Sequence, residues 1–284
     1  MIRVDITQAP EELGKLLSGA EAVFHTAAKV EMWGRYEDFF AVNVQGTRNL
    51  LEACRKVGVP RFVFTSSPSV IADDSDLRGI DEQYPYPRAH LAAYPETKAI
   101  AEREVCAANE EGKLHTIALR PHLIFGPGDH HLVPTILGRA RAGMLMQVGS
   151  GKNVSDFTFI EDCTRAHLLA AEALDLNPAC RGRIYFITQG EPIPMWDWIN
   201  QVLSFHDLPP VQRRVPTFLA RRFAALSEAV WRLGLTREPR LTRFLVSQMS
   251  TDHYFSIAAA GRDLDFHPRY SMAEAMRITF GVKR

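Results

Sequence analysis

The sequence predicts an α/β fold built on a parallel, doubly wound sheet, with a smaller and mostly helical second lobe. Three observations predict it. Strand-like runs alternate with longer helical patterns. One run, Arg61-Phe62-Val63-Phe64, stops at the small hydroxylated residues Thr65-Ser66-Ser67. A phenol and an ammonium, Tyr94 and Lys98, then follow at helical spacing. Strands separated by helices of this length imply crossover connections and parallel pairing. In open α/β sheets ligands sit beyond the carboxyl ends of such strands.

Taken in order, residues 21–26 read as a first strand, and residues 36–57 carry helical periodicity through Phe39, Phe40, Val42, Val44, Leu50, Leu51 and Cys54. The run from Arg61 is aromatic and β-branched, as a buried strand should be. The helix holding Tyr94 and Lys98 extends to about Asn109. A further strand covers 114–119, Gly126-Pro127-Gly128 breaks the pattern, and 183–187 is the next strand. These parts assign 1–190 to the core, and 191–284 to the second lobe with a contribution from 123–160. Met195-Trp196-Asp197-Trp198-Ile199 begins a helix there. Residues 216–235 mix Phe218, Leu219, Phe223, Leu226, Val230, Trp231 and Leu233 with Arg221, Arg222 and Arg232. The periodicity fits a helix covering the active site; a basic amphipathic helix lying in a membrane interface is the alternative.

The composition narrows the function. The 284 residues are 46% hydrophobic, and 33 basic residues balance 33 acidic ones, so no global field attracts nucleic acid and a small-molecule partner is expected. Four widely spaced cysteines, Cys54, Cys106, Cys163 and Cys180, form no metal-binding pair and read as reduced thiols of a cytoplasmic protein. The start shows no signal peptide, and the chain has no 18-residue apolar run. His25 reads as a core histidine. The adjacent His130 and His131 lack metal-ligand spacing and read as a solvated loop, so no metal is expected.

Tyr94 and Lys98 stand four residues apart and therefore share a helix face. A tyrosine ionises near pH ~10, and a neighbouring cation that favours the phenolate brings it closer to acid/base work at neutrality. With a hydroxyl from Ser66 or Ser67, the three groups suggest carbonyl/alcohol chemistry.

The sequence resembles the extended short-chain dehydrogenase/reductases, and within them the 3β-hydroxysteroid dehydrogenase/isomerase-like group. The matching pieces are Val23-Phe24-His25-Thr26-Ala27-Ala28, Asn43-Val44-Gln45-Gly46-Thr47, Thr65-Ser66-Ser67, the Tyr94 to Lys98 motif, Leu119-Arg120-Pro121 and Gly126-Pro127-Gly128-Asp129. The segments Pro121-His122-Leu123-Ile124-Phe125-Gly126-Pro127-Gly128-Asp129 and Glu238-Pro239-Arg240-Leu241-Thr242-Arg243-Phe244 look like those of bacterial 2-alkyl-3-oxoalkanoate reductases. The resemblance implies a Rossmann-like fold, NAD or NADP as cofactor, Tyr94 as acid/base, Lys98 as its partner and ribose ligand, and Ser67 rather than Ser66 holding the substrate oxygen. It implies cofactor contacts at Asp5, Ile6, Thr26, Ala27, Ala28, Asn43, Ser66, Tyr94, Lys98, Pro121 and His122. Asn43 has a structural alternative, as a bond to backbone. The family often forms homodimers through helices matching 36–57 and 92–109.

The sequence departs from the family at its start. No Gly-x-x-Gly-x-x-Gly turn is present, and Arg3-Val4-Asp5-Ile6-Thr7 resemble the end of the family's third strand. The expectation is an N-terminally incomplete sheet in a fragment or mis-started reading frame, rather than a protein that has lost cofactor binding. The expected activity is alcohol/ketone interconversion on a hydrophobic substrate, a sterol or a 2-alkyl-3-oxoalkanoate. A nucleotide-sugar epimerase and a non-catalytic dinucleotide-binding scaffold are the alternatives. Dehydratases are disfavoured because Thr65-Ser66-Ser67 stands where they carry Thr-Asp-Glu. Epimerases are disfavoured because Leu123 stands where many carry asparagine.

Overall fold

The computed structural model describes residues 2–31, 33–236 and 238–281. In chain order the elements begin with α1 (Pro10–Leu17), β1 (Ala22–His25), α2 (Tyr36–Phe39), a π-helical turn (Phe40–Gln45), α3 (Gly46–Val57), β2 (Arg61–Thr65), a 3-10 turn (Pro68–Ile71), β3 (Leu77–Ile80) and α4 (Ala93–Ala107). Then come β4 (His115–Pro121), β5 (Ile124–Phe125), α5 (Leu132–Arg141), β6 (Gln147–Val148), β7 (Val154–Ser155), β8 (Thr158–Phe159), α6 (Ile160–Leu176) and β9 (Arg183–Ile187). The chain continues through β10 (Ile193–Pro194), α7 (Met195–Phe205), β11 (Arg214–Val215), α8 (Thr217–Arg232), α9 (Arg243–Ser250), β12 (His253–Phe255), α10 (Ala258–Leu264) and α11 (Met272–Phe280).

The central sheet has the order β1-β2-β4-β9, and every pair is parallel. Its inner strands are buried on both faces, with Phe62, Val63, Phe64, Ile117, Ala118 and Leu119 all fully out of water. That is why they read as continuous apolar runs rather than alternating ones. Alternate side chains feed two different cores. Phe62, Phe64 and Ala118 pack with α1, α3 and α4, while Val63, Ile117, Leu119, Tyr185 and Ile187 pack with α6 and α10. Helices therefore cover both faces, which is the doubly wound arrangement.

The predicted helix over 36–57 is continuous but not uniform, because α2 passes through the π turn before α3. It stops at Gly58, whose φ of 76° is left-handed and whose backbone N–H donates to the Cys54 carbonyl. Residues 2–5 form no strand, a difference from the strand end that 3–7 resemble. In place of strand pairing, Asn49 Nδ2 donates to the carbonyls of Ile6 (3.3 Å) and Gln8 (2.8 Å), tying this segment to α3. Gly46 permits the close approach: a Cβ there would lie 2.7 Å from Ile6 Cδ1.

A third core gathers Phe125, Phe157, Phe159, Trp196 and Trp198 with residues of α5, α8 and α11. Phe157 stacks on Trp198 at 4.3 Å. The small sheet β10-β7-β12-β3 bridges this core and the central sheet, with Ile193 of β10 packed on the core and Leu77 and Phe255 clustered with Phe186 of β9. Beyond β12, α10 returns to the central sheet, where Ala260, Leu264 and Phe266 are buried against α6 and β9.

Candidate active site

Strand β2 ends at Thr65, and the chain turns at once into the 3-10 helix, capped by Ser67. The Ser67 Oγ accepts from the Ser69 N–H (3.2 Å) and from the Ser69 hydroxyl (2.9 Å). Ser67 is partly exposed, whereas Ser66 is buried and its Oγ has no protein partner. The adjacent serines thus differ in role: Ser67 interacts with the Tyr94 hydroxyl, and Ser66 points a spare donor and acceptor into the structure.

Tyr94 lies in the first turn of α4, with Lys98 one turn further on. Lys98 is 2% exposed, donates to the Thr65 carbonyl at 2.6 Å, and sits 3.9 Å above the Phe64 ring. Burial pulls its pKa down to about 7, against a smaller upward pull from Glu102. The phenol of Tyr94 behaves differently from the sequence-based expectation. Burial raises its pKa above 10.0, and the downward pull comes from the Ser67 hydrogen bond rather than from Lys98. Lys98 directs one donor at the strand carbonyl, and with a pKa of about 7 it carries only part of its charge near neutrality.

Thr65 is braced from its other side. Its hydroxyl lies 2.7 Å from His167 Nε2, and His167 Nδ1 is 2.8 Å from the Cys163 carbonyl. A carbonyl only accepts, so Nδ1 carries the proton and the Thr65 hydroxyl donates to Nε2. Burial lowers the His167 pKa, in keeping with this neutral tautomer.

At the end of β4, Pro121 and His122 are buried. His122 Nδ1 donates to Asp156 Oδ1 at 2.8 Å, and Asp156 Oδ2 accepts from the Phe255 N–H at 2.9 Å. The next residue, Leu123, has φ of 40°, a left-handed conformation that costs a branched side chain roughly 1–3 kcal/mol.

The other predicted positions lie around the end of β1. Thr26 and Ala27 are exposed and Ala28 is half-buried, so ligand can approach the backbone there. Asn43 is fully used by protein: its Oδ1 accepts from the Lys29 N–H (2.7 Å), and its Nδ2 donates to the Lys29 carbonyl (3.1 Å) and to Thr97 Oγ1 (3.0 Å). It fastens the loop after β1 to α4. Asp5 is exposed, and its Oδ1 accepts from the N–H and hydroxyl of Thr7, both at 2.9 Å. Ile6 lies against Gly46. His25 is a satisfied core residue, 2.9 Å from Thr47 Oγ1, with its pKa lowered by burial to about 3. His130 and His131 are exposed, and no metal-binding cluster occurs among the described residues.

Two cavities are prominent. The larger, 470 Å³, lies at the start of β9 beside α10 and does not include Tyr94, Lys98 or Ser67. The smaller, 180 Å³, is lined by Tyr94 but not by Lys98 or Ser67. Chemistry decides between them, and the Tyr94 cavity is the candidate substrate site. Trp33, Tyr36, Phe39 and Leu91 wall one side; Glu228, Trp231 and Arg232 of α8, with Pro239 and Thr242, wall the other. Sequence reasoning missed Asp156 and His167, and of this wall it named only the α8 part, as a helix covering the active site. Asp156 alone carried a signal, as a carboxylate next to the apolar run Phe157-Thr158-Phe159.

The family model for the 3-beta hydroxysteroid dehydrogenase/isomerase family matches residues 1–216. A 2-alkyl-3-oxoalkanoate reductase of Stenotrophomonas maltophilia is 44% identical over 97% of this chain and 84% of its own length. A sterol-4-alpha-carboxylate 3-dehydrogenase, decarboxylating, of Schizosaccharomyces pombe is 39% identical over 90% of this chain and 76% of its own. Among solved structures, UDP-glucuronic acid 4-epimerase from Bacillus cereus in complex with NAD superposes with a TM-score of 0.74 at 21% identity, over 99% of this chain and 79% of that one.

Proposed function

This chain belongs to the 3-beta hydroxysteroid dehydrogenase/isomerase family, and from that premise we propose that it is an NAD(P)-dependent oxidoreductase interconverting a secondary alcohol and a ketone on a hydrophobic carboxylic acid. The substrate class follows from chemistry shared by two relatives' names. A 3-oxoalkanoate substituted at C2 and a 3-hydroxysterol bearing a 4-carboxylate both carry the carboxylate on the substituted carbon next to the reacting one. The apolar walls from Trp33, Phe39, Leu91 and Trp231 suit such a molecule. Likeness to an epimerase at 21% identity supports the fold alone.

The observation that carries the reading is the placement of Tyr94 and the buried Lys98 one turn apart on α4, with Lys98 hydrogen-bonded to the end of β2 where Ser67 caps the next turn. In the reducing direction Tyr94 donates its proton to the carbonyl oxygen, and Ser67 hydrogen-bonds the same oxygen as negative charge develops on it. Lys98 uses one donor on the Thr65 carbonyl and keeps the rest for ribose hydroxyls; with its pKa near 7, it also exchanges a proton readily at neutral pH. A nicotinamide dinucleotide held by these residues would supply or accept the hydride. The residues present fit such a group: spare donors on Lys98, an orphaned Ser66 hydroxyl, and exposed small residues at Thr26 and Ala27. We assign Asp5 and Ile6 to the adenosine end, Thr26, Ala27, Ala28 and Asn43 to the floor, and Pro121 and His122 to the nicotinamide side.

The outward face of α8 supports a peripheral contact with a lipid surface. Phe218, Leu219, Phe223 and Leu226 are 47–62% exposed there beside Arg222, while Ala220 and Ala224 face inward. No helix among the described residues is long and apolar enough to cross a membrane. Four free cysteines suit a reducing cytoplasm. A homodimer through 36–57 and 92–109 is the assembly that family resemblance supports.

Tyr94→Phe is expected to lower turnover by about 10²–10⁴-fold while leaving dinucleotide affinity, followed by fluorescence titration with NADH and NADPH, within about twofold. Full activity in that variant would refute the mechanism.

A further inference from the structure

We propose that Arg232 is the specificity residue that binds the substrate carboxylate, beside the oxygen served by Tyr94. The inference rests on the function proposed above and adds which side chain reads the acid. Arg232 and Tyr94 line the same cavity, whose walls are otherwise aromatic, aliphatic or neutral apart from Glu228.

The charges of this wall do not cancel. Glu228 is buried, and both its oxygens are already taken by Arg243: Oε1 accepts from the backbone N–H at 2.7 Å, and Oε2 from Nε at 2.9 Å. Arg232 reaches Glu228 Oε2 only at 3.9 Å, beyond hydrogen-bonding distance, and its side chain is 66% exposed. Two guanidinium groups thus share one carboxylate, leaving a surplus positive charge on a guanidinium without a hydrogen-bonded partner among the described residues. A guanidinium presents a planar fork of donors that matches a carboxylate bidentately.

The size of the cavity points the same way. At 180 Å³ it is smaller than the ~300–1,000 Å³ usual for drug-sized ligands. It holds the polar head of a lipid acid, namely the reacting carbonyl and the neighbouring carboxylate, while hydrocarbon extends along the aromatic wall. In a 3-oxo or 3-hydroxy acid the oxygen-bearing C3 and the carboxyl C1 are separated by one carbon, which suits Tyr94 and Arg232 lining one small space.

The test compares a 2-alkyl-3-hydroxyalkanoate with its methyl ester, on the wild-type protein, Arg232→Gln and Arg232→Lys. Binding is followed by quenching of tryptophan fluorescence, since Trp33 and Trp231 line the cavity, and hydride transfer is followed separately by NADH absorbance. The expected result is a 10–100-fold loss of acid affinity and a matching rise in KM in Arg232→Gln. Ester binding and kcat should change less than threefold, and Arg232→Lys should recover part of the loss. Equal losses for acid and ester, or no loss for the acid, would overturn the assignment. Arg232-dependent acid binding without NADH formation would keep the assignment and refute the oxidoreductase reading. Turnover insensitive to Arg232 would do the reverse.

Discussion

Lys98 combines three conditions seldom met together: an amine that is 2% exposed, a single strong acceptor in the Thr65 carbonyl, and a pKa drawn down by burial to about 7. Because the unfolded chain holds this proton up to its ordinary pKa of 10.5, folding releases it anywhere between about pH 7 and 10.5, and stability rises with pH across that window. Below pH 7 both states keep the proton and the penalty is constant. Lys98→Met is therefore expected to remove a rising component of Tm between pH 7 and 9, so that the wild type gains on the variant at each step. Parallel Tm profiles would contradict the shift. The pairing of Tyr94 with Lys98 was readable from spacing, but the electrostatic relation between them was not. Spacing fixes a shared face, whereas the direction of a pKa depends on which acceptor captures the amine and how much water remains. The same limit hid His167, whose part depends on Thr65, 102 residues away.

The helix that carries Tyr94 is held to the sheet by a buried ion pair. Arg120 of β4 donates to Glu102 of α4 through Nε (2.8 Å) and Nη2 (2.6 Å), and the Tyr86 hydroxyl donates to the same carboxylate at 2.6 Å. Both partners are at most 1% exposed, and the guanidinium lies near the rings of Tyr86 and Phe186. Removing one member leaves an uncompensated buried charge, so Arg120→Met is expected to cost about 3–5 kcal/mol in urea unfolding. The double variant Glu102→Met, Arg120→Met should recover most of that loss. A double variant as unstable as the single one would show that the pair acts through packing rather than charge. The element limits themselves followed from local signals, as at Gly58, where the predicted helix ends. The π turn at 40–45 gave no such signal; within it Asn43 fastens the Lys29 backbone to Thr97, so three separate segments meet there.

At the level of the whole molecule, α8 connects two surfaces: Glu228, Trp231 and Arg232 line the Tyr94 cavity, while Phe218, Phe223 and Leu226 face outward. A helix so placed can take an apolar acid from a lipid surface and present it to the catalytic groups. Binding to vesicles containing anionic lipid is expected to be lost in Phe223→Asp, Leu226→Asp with Tm changed little; flotation of the variant equal to wild type would refute the contact. The sequence by itself determined the parallel sheet, its buried inner strands, and the placing of Thr65-Ser66-Ser67 and Tyr94-Lys98 at its carboxyl edge. Hydrophobic periodicity and turn residues act over a few neighbours and are written directly in the chain. Only the tertiary structure decided which serine meets Tyr94, that Asp156 holds His122, and that segments near residues 33, 94 and 232 enclose one cavity. Those relations arise when distant segments close on each other, and their partners are chosen by the shape and burial of the folded molecule rather than by spacing along the chain.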